Sequence, residues 1–577
     1  MGRMGGSNYE NQWKESQENL EKHIGILGGA SDDITASCYS FELDKIRIQI
    51  DGGSFQGRTT PTQMKKMYDK RGETKPQYTF GTHVHCDHIS AIPIQAKNEG
   101  FPKDIKFITS PITKAVAPYV YRDGLKLQWE NILKYKKKSQ LRSQILRQKE
   151  QYNDIYLHMI QKDYFNTDEM KEGYLDDFQS KSNGKKDKGT GEHKRRGRHL
   201  TQLYNNIPEK HTREKLHNKI NDMNRLLETL EEFTGDLSSL SYDEQAIKFV
   251  VKNTTAVENN QPFTLIKDQF KSNVVATLYH TGHITGANSV LFELLDTKTK
   301  KVDFSLMFSG DIGREAGTPF QEGFAIPENK KIDTLVVEAT YGDKNHTLTY
   351  KEALQNLTNK VNQAKWPTMI YAISYQKFQE ILVTLLRSTN KTIHCFGQLP
   401  KIYSQIFAKI NPEFFGSLEN NPRIIRESQR YEDDPLFQDP EVVCLATSGM
   451  MAAAASMIAR AMCNNSNATI ISTNHQAVGT PGYRFKEKRE VMNENGTTFG
   501  IFKGIYHHIE GLSGHGDQKD LISYIMKVGA KVTIITHGEM KAKLGLKAEL
   551  EKAGYTGKII IPTNGDKVHM VTGKISE

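Results

Sequence analysis

The sequence predicts an α/β protein whose functional residues lie where β-strands end. Short β-branched runs such as "IRIQID" (46–51) and "KVTIITH" recur along the chain, and each ends in a polar cluster. The first of these runs alternates apolar and polar residues, as a half-buried strand does. Helical stretches separate the runs. Strands that alternate with helices are typical of α/β architectures, so we expect the chemistry at the strand exits.

The length and net charge of the chain limit its expected domain organisation and partners. The chain has 577 residues, and a single domain usually has about 100–200, so two or more compact units are expected. The net charge is +9 and the calculated pI is about 8.9. This mild basic excess is compatible with a polyanionic partner but does not by itself indicate nucleic-acid binding.

Cysteine usage and apolar runs predict a cytoplasmic protein. The five cysteines are scattered and never form C-x-x-C, so neither a disulfide framework nor a cysteine zinc site is expected. The N-terminus is polar, and no signal peptide is expected. The longest apolar stretch, "GMMAAAASMIARAMC", is short and contains Arg460. It predicts a buried helix, and no membrane partner is expected.

A basic segment at about 135–235 interrupts the α/β pattern. Two long helical patterns flank residues 181–198, "KSNGKKDKGTGEHKRRGR", which hold eight basic and two acidic residues. A stretch without apolar residues cannot offset the entropy of ordering, so we expect a mobile loop at the tip of a helical hairpin. The insertion could be a solvated elaboration without a chemical role, or it could contact RNA or a protein partner.

The stretch "GTHVHCDHISAIP" (81–93) concentrates metal-binding side chains after a strand that ends in "QYTF". Four candidate ligands lie within six positions, namely His83, His85, Asp87 and His88. Imidazole and carboxylate are ligands that zinc takes, and catalytic zinc sites keep one position open for water. The first two histidines can face one ion, while Asp87 and His88 can face a second.

Further ligands for two ions are predicted at other strand exits. His283 lies in "YHTGHITGANSV", where glycines at 282 and 286 permit a tight loop. Asp311 in "FSGDIGR" offers a carboxylate that can bridge two cations, and His537 in "IITHGE" offers another imidazole. His280, close to His283, is the competing candidate.

Taken in order, these motifs resemble those of the metallo-β-lactamase superfamily, specifically its β-CASP branch of RNA-processing nucleases. That branch includes the pre-mRNA 3′-end cleavage endonuclease and its bacterial and archaeal relatives. The H-x-H-x-D-H element matches residues 83–88, and the remaining motifs match single residues of this chain. These are Asp51 in "QIDGGSFQG", His283, Asp311, Glu338 in "VEATYGD", His515 in "LSGHGD" and His537 in "THGE". The resemblance covers about 24–130 and 240–577.

The resemblance implies a fold and its boundaries. The expected fold is an αββα metallo-β-lactamase sandwich with an inserted α/β β-CASP cap domain. A polar tail would occupy 1–23, and the first part of the metallo-β-lactamase domain 24–345. The cap would occupy 346–495, and the C-terminal part of the metallo-β-lactamase domain 496–577.

It also implies two zinc ions as cofactors and assigns their ligands. His83, His85 and His283 would hold one ion. Asp87, His88 and His537 would hold the other, with Asp311 bridging the two. Asp51 would orient ligand imidazoles through hydrogen bonds from behind them.

The catalytic residues implied are His515, Glu338 and Asp87. His515 would protonate the leaving 3′-oxygen, with Glu338 raising its pKa or fixing its tautomer. An alternative is that His515 only donates a hydrogen bond to the phosphate.

The implied function is hydrolysis of RNA phosphodiester bonds in RNA processing or decay. Cleavage would be endonucleolytic, by a hydroxide activated between two metals, and would leave 5′-phosphate and 3′-hydroxyl ends. A 5′→3′ exoribonuclease of RNase J type is the first alternative, and a non-catalytic RNA-binding scaffold is the second. The scaffold is disfavoured because no metal ligand is missing. RNA is the expected partner, and the sequence leaves open whether the chain forms a homodimer.

The candidate RNA-binding residues lie in the cap and are Ser448, Gly449, Gln476, Gly479 and Thr480. Two places depart from the family pattern. One is "TSGMMAAAAS", where relatives have a glycine-rich stretch, and the other is "ISYQKFQE" with Tyr375, where relatives carry an arginine. Both places face substrate in relatives, so the contacts with RNA could differ here.

Overall fold

The computed structural model describes most of the predicted α/β regions. The described stretches are 23–30, 36–54, 73–125, 241–267, 270–427, 431–448, 450–476, 479–493 and 496–576, with a few helical residues within 65–71, 144–149 and 218–223. The predicted loop at 181–198 and nearly all of the basic insertion lie outside the described residues. The stretches described below belong to one compact unit of the chain.

The first sheet has eight strands in the order β23-β22-β1-β2-β3-β4-β5-β6. Strands β1 to β3 pair antiparallel, whereas β3 to β6 pair parallel. The bounds are β1 His23–Gly28, β2 Cys38–Leu43, β3 Ile46–Ile50, β4 Tyr78–Phe80, β5 Lys106–Thr109, β6 Thr254–Ala256, β22 Lys567–His569 and β23 Ile575–Ser576.

The second sheet has seven strands in the order β21-β20-β11-β10-β9-β8-β7. Strands β7 to β10 pair antiparallel, and β10, β11, β20 and β21 pair parallel. The bounds are β7 Phe263–Lys267, β8 Phe270–His280, β9 Asn288–Leu295, β10 Val302–Phe308, β11 Thr334–Glu338, β20 Val532–Thr536 and β21 Lys558–Ile560.

The two sheets share one apolar core and are covered by helices on their outer faces. Phe292 contacts Phe41 and Phe80 with ring centroids 5.2 and 4.9 Å apart, joining the sheets through edge-to-face aromatic pairs. Leu521 and Leu546 pack against the second sheet. The helices are α1 Cys86–Ile89, α2 Ile92–Asn98, α3 at 111–125 and α4 Glu244–Lys252 around the first sheet, and α11 Gln518–Val528 and α12 Met540–Lys552 on the second. The arrangement is the αββα sandwich that the resemblance implied.

A third sheet forms the inserted α/β cap. Its six strands are all parallel, in the order β14-β13-β15-β12-β16-β19. The strands are β12 Thr368–Ala372, β13 Thr392–Phe396, β14 Ile424–Glu427, β15 Val442–Thr447, β16 Thr469–Ser472 and β19 Ile505–His508. A small hairpin, β17 Glu490–Met492 and β18 Thr498–Ile501, precedes the last of these. The edge strand β19 belongs to the cap sheet, although it lies beyond residue 495, the boundary that the sequence predicted for the end of the cap.

The described helices of the cap differ in how they begin. They are α5 Tyr350–Gln363, α6 Lys377–Ser388, α7 Gln398–Ile410, α8 Pro412–Phe415, α9 Ala453–Ala461 and α10 Pro481–Lys488, with short 3₁₀ helices at Gly416–Leu418 and Pro435–Gln438. Thr349 and Glu352 form a capping box at the start of α5. The apolar stretch around Arg460 forms α9, as predicted. Within the described stretches, none of the helices has the length and apolar character that crossing a bilayer requires.

Candidate metal centre

Strand exits bring the predicted ligands together. His83 follows β4 of the first sheet, while Asp311 and His537 follow β10 and β20 of the second. His283 lies in the loop between β8 and β9, where the glycines at 282 and 286 adopt φ values of 68° and 91°. These left-handed conformations suit glycine, as the sequence predicted for a tight loop. All seven predicted ligands belong to groups whose ligand atoms lie within 4.8 Å of one another.

The first group contains three imidazole nitrogens. His85 Nδ1 lies 3.1 Å from His83 Nε2 and 3.2 Å from His283 Nε2. Asp311 Oδ2 is 3.4 Å from the first of these Nε2 atoms and 3.6 Å from the second. Zinc bonds to nitrogen of about 2.0–2.1 Å in a tetrahedral shell place ligand nitrogens roughly 3.3–3.4 Å apart. The spacing in this group is therefore suited to one cation.

The second group lies on the other side of Asp311. His88 Nε2 is 3.2 Å from His537 Nε2, which is 3.6 Å from Asp87 Oδ2. Asp311 Oδ1 lies 3.2 Å from the same His88 nitrogen. One Asp311 oxygen thus faces each group, and the buried Oδ1 accepts no hydrogen bond among the described residues. A buried carboxylate oxygen without a donor, aimed at imidazole nitrogens, is suited to a cation.

The pKa shifts of His83, His85 and Asp311 also favour metal binding. Burial and the neighbouring His88 lower the pKa of His83 to about 3, and burial lowers the pKa of His85 to about 4. Burial opposes ionisation of Asp311, but His537 and His88 lower its pKa well below the usual value. In the first group the donors are therefore neutral imidazoles and an ionised carboxylate, which are the forms that coordinate zinc. In the second group, burial opposes protonation, but the Asp311 carboxylate outweighs it and raises the pKa values of His88 and His537.

Asp51 holds one ligand from behind. Its Oδ2 accepts a hydrogen bond from His88 Nδ1 at 2.7 Å, and its Oδ1 accepts one from the Thr82 backbone N–H at 2.8 Å. A proton on Nδ1 leaves the His88 Nε2 lone pair free for the metal side. Asp51 has a φ of 58°, in the left-handed region, so the chain turns sharply after β3 and directs the carboxylate inward.

Two threonines that the sequence reasoning missed orient other ligands. Thr82 Oγ1 lies 3.1 Å from His83 Nδ1 and donates to Asp51 Oδ2 at 3.0 Å. Thr340 Oγ1 lies 3.2 Å from His537 Nδ1. In the tautomer in which Nδ1 donates to the threonine hydroxyl, the metal-facing Nε2 of each histidine is free to bind a cation. The available signal was position, since Thr82 directly precedes His83 and Thr340 lies two residues after Glu338.

His515 and Glu338 lie together beside the metal groups. His515 Nδ1 is 3.0 Å from Glu338 Oε1, and its Nε2 is 3.8 Å from Asp311 Oδ2. Glu338 also accepts hydrogen bonds from the backbone N–H groups of Ile312 and Thr340, at 2.6 and 3.1 Å. Burial opposes the imidazolium, but the Glu338 and Asp311 carboxylates outweigh it and raise the pKa of His515 to about 9. The His515 side chain is 19% exposed, so a protonated imidazole lies within reach of a ligand.

The cap contacts the loop that carries His283 through two hydrogen bonds. Thr285 N donates to Gln376 Oε1 at 2.5 Å, and the Tyr375 hydroxyl donates to the Thr285 carbonyl at 2.8 Å. Tyr375, one of the departures from the family pattern, is buried. The Tyr375 hydroxyl therefore contacts the loop that carries the predicted metal ligand His283. His280 lies outside the two groups, with its Nε2 3.2 Å from the Glu322 carbonyl.

The candidate RNA-binding residues differ in accessibility. Gly479 is exposed, and Thr480 and Ser448 are partly exposed. The hydroxyls of both already accept backbone N–H groups, from Tyr483 and Ala452 respectively. Gln476 is buried and donates to the Asn474 carbonyl at 3.0 Å. Gly449 lies outside the described residues.

Comparison with known proteins finds a matching domain and several similar proteins. Residues 505–562 match the Zn-dependent metallo-hydrolase RNA specificity domain. An RNase J-like protein of Methanocaldococcus jannaschii is 24% identical over 331 residues, 54% of this chain and 74% of that protein. The transcription termination factor FttA of the same organism is 23% identical over 57% of this chain and 54% of its own length.

A third relative is the endoribonuclease ysh-1 of Neurospora crassa, 23% identical over 405 residues, which cover 59% of this chain and 45% of that protein. The chain therefore spans about half the length of the last two relatives. The matched domain is a metallo-hydrolase domain, and two of the three relatives are named as ribonucleases. In its matched domain and in these relatives, the chain is similar to the β-CASP branch of the metallo-β-lactamase superfamily of metal-dependent hydrolases.

Proposed function

We propose that this protein is a zinc-dependent ribonuclease that cuts RNA endonucleolytically and leaves 5′-phosphate and 3′-hydroxyl ends. The observation that carries the proposal is the position of Asp311, whose two oxygens each face one group of imidazole nitrogens. A shared carboxylate between two ligand sets is the arrangement of two-metal phosphodiester hydrolysis. The match to an RNA specificity domain and the likeness to an endoribonuclease support RNA as the substrate.

The metal ligands would divide as the two groups do. His83, His85 and His283 would hold one zinc ion, and Asp87, His88 and His537 the other. Two bound ions supply a strongly nucleophilic water at neutral pH and neutralise charge on the phosphate. Asp51, Thr82 and Thr340 keep three of the ligand imidazoles in the tautomer and orientation that binding requires.

His515 is the proposed general acid. Its imidazole is protonated below about pH 9 and is partly exposed beside Asp311. Departure of the 3′-oxygen requires a proton, and an imidazolium held by Glu338 can deliver it from Nε2. Because Glu338 accepts two backbone N–H groups as well, the pair is held in a fixed orientation.

A 5′→3′ exoribonuclease is the alternative, and the likeness to an RNase J-like protein favours it. Circular RNA separates the two activities, since a circle has no 5′ end to engage. The test is incubation of purified protein with circular RNA and with linear RNA carrying a 5′-monophosphate, together with zinc analysis.

Wild type is expected to hold about two zinc ions per chain and to cut both RNAs, as two-metal hydrolysis requires. The His83→Ala variant should lose zinc and activity together. Degradation of linear RNA alone would replace the endonuclease proposal with the exonuclease. A His83→Ala variant as active as wild type would show that the site is wrongly placed, and metal-independent RNA binding without cleavage would favour the scaffold.

A further inference from the structure

A second cleft lies in the cap, where strands β13 and β14 end. It has a volume of about 90 Å³ and is lined by Gly397, Gln398, Lys401, Ser404, Arg426 and Glu427 among others. A cavity needs about 10–15 Å³ for one water molecule, so this cleft has room for a group of several heavy atoms. None of these residues is a predicted metal ligand or RNA contact.

The chain around the cleft forms a βαβ unit. Strand β13 leads through Gly397 into the 13-residue helix α7, and the chain returns through β14, which pairs parallel with β13. Ligands of open parallel sheets bind at the carboxyl ends of the strands. In nucleotide-binding βαβ units, the helix N-terminus binds a phosphate, and an acidic residue at the end of the second strand binds the ribose. Here, Glu427 is the last residue of β14.

The start of α7 lacks its own cap. Gly397, at the N-cap position, has a φ of 120°, a conformation available to glycine, and it has no side chain that could accept a hydrogen bond from the first turn. Gly397 and Gln398 line the cleft, so the first backbone N–H groups of the helix, which the N-cap residue does not cap, lie at its edge. Gln398, Lys401 and Ser404 follow at three-residue spacing, which places them on one face of the helix.

Ser404 supplies an independent indication of a ligand. It is only 3% exposed, and its hydroxyl makes no hydrogen bond within the part of the chain that the structure describes. Ser404 lines the cleft, so its hydroxyl faces a space that a ligand can fill. Buried hydroxyls usually have a hydrogen-bond partner, and a ligand in the cleft can provide one.

The charges around the cleft match a nucleotide. Lys401 is exposed and makes no ion pair with a described residue. Arg426 donates through Nη2 to the Leu418 carbonyl at 2.5 Å, which holds its guanidinium at the cleft. These two cations can bind phosphate. The Glu427 carboxylate, held by His394 Nδ1 at 2.6 Å, can accept hydrogen bonds from ribose hydroxyls.

We propose that this cleft binds a ribonucleoside phosphate, with the phosphate at the N-terminus of α7 between Lys401 and Arg426 and the ribose at Glu427. The proposal does not depend on the ribonuclease activity. A ribonucleoside phosphate has two sources, a free mononucleotide or one unit of an RNA chain.

The test measures the affinity of the full chain for AMP, UMP and a 5′-phosphorylated RNA pentamer by isothermal titration calorimetry. The variants are Lys401→Ala and Ser404→Ala, and Lys409→Ala is the matched control because it is an exposed lysine in the last turn of the same helix. Circular dichroism establishes that each variant is folded. Since the metal centre contains none of these residues, a change in affinity reports on the cleft.

At least a tenfold loss of affinity is expected in Lys401→Ala and a clear loss in Ser404→Ala, with Lys409→Ala matching wild type. If the loss affects the mononucleotides alone, the source is a free nucleotide; if it affects the pentamer, the source is RNA. Equal affinities in wild type and both cleft variants, for every probe, would overturn the proposal. The 2′-deoxy form of AMP should bind at least fivefold more weakly than AMP. Equal binding of the two would exclude the proposed contact between Glu427 and the ribose.

Discussion

Asp51 Oδ2 lies 2.7 Å from His88 Nδ1, and both side chains are about 2% exposed. The carboxylate therefore acts on the metal groups through a histidine, without facing the cation side itself. Its second oxygen is tied to the Thr82 backbone, which directly precedes the first ligand of the motif. The strand exits of β3 and β4 are thus joined by one buried carboxylate, and the orientation of the ligands depends on it.

Replacing Asp51 with asparagine tests this dependence. The amide side chain can keep one hydrogen bond, but the substitution removes the charge that holds the Nδ1 proton of His88. We expect zinc affinity to fall by about 10–100-fold, the usual effect of losing a hydrogen-bond partner behind a ligand. Competition with a chromogenic chelator measures the affinity. Asp104→Asn, at an exposed position, is the control, and unchanged affinity in Asp51→Asn would contradict the role given to this carboxylate.

Removal of metal should lower thermal stability. An ion that binds only the folded state stabilises it by about 2.7 kcal/mol at a hundred times its dissociation constant. We therefore expect chelation to lower the Tm of wild type and added zinc to restore it, as measured by differential scanning calorimetry. The His83→Ala variant should show a much smaller shift, and an equal shift in both proteins would place the stabilising ion elsewhere.

The pH dependence of cleavage should report on His515. Its pKa is raised to about 9, so the imidazole carries its proton below that pH and loses it as the pH rises through about 9. A general acid must be protonated, and kcat should therefore fall on the alkaline side. In Glu338→Gln the supporting charge is lost and the fall should begin at lower pH. Identical alkaline limbs in the two proteins would exclude this pair as the source of the proton.

The contact between the cap and the His283 loop should contribute measurable stability. Tyr375→Phe removes the hydrogen bond to the Thr285 carbonyl and keeps the buried ring, so we expect a loss of about 1 kcal/mol in the free energy of unfolding. Urea denaturation measures it, with Tyr431→Phe as the control because Tyr431 is 69% exposed. Zinc affinity should weaken too, because the loop carries a ligand. A stability loss without any change in zinc affinity would limit the contact to a structural role.

Much of the fold and the whole proposed ligand set were accessible from the sequence. The β-branched runs at 46–51 and before His537 form strands β3 and β20, and the apolar stretch around Arg460 forms a buried helix. Local pattern is enough for such elements, because strand alternation and apolar runs record which side chains are buried. Side chains at strand ends are predictable for the same reason.

What the tertiary structure decided is how distant segments meet. Asp311 facing both ligand groups, the Thr285–Gln376 contact and the addition of β19 to the cap sheet all join residues far apart in the chain. The contact of Thr340 with His537 also joins distant residues, and the cleft beside α7 is lined by residues of several separate elements. Such contacts depend on the register and packing of separate sheets, which no local periodicity encodes. The sequence by itself determined the residues available for the chemistry, and the packing of three sheets determined which of them touch.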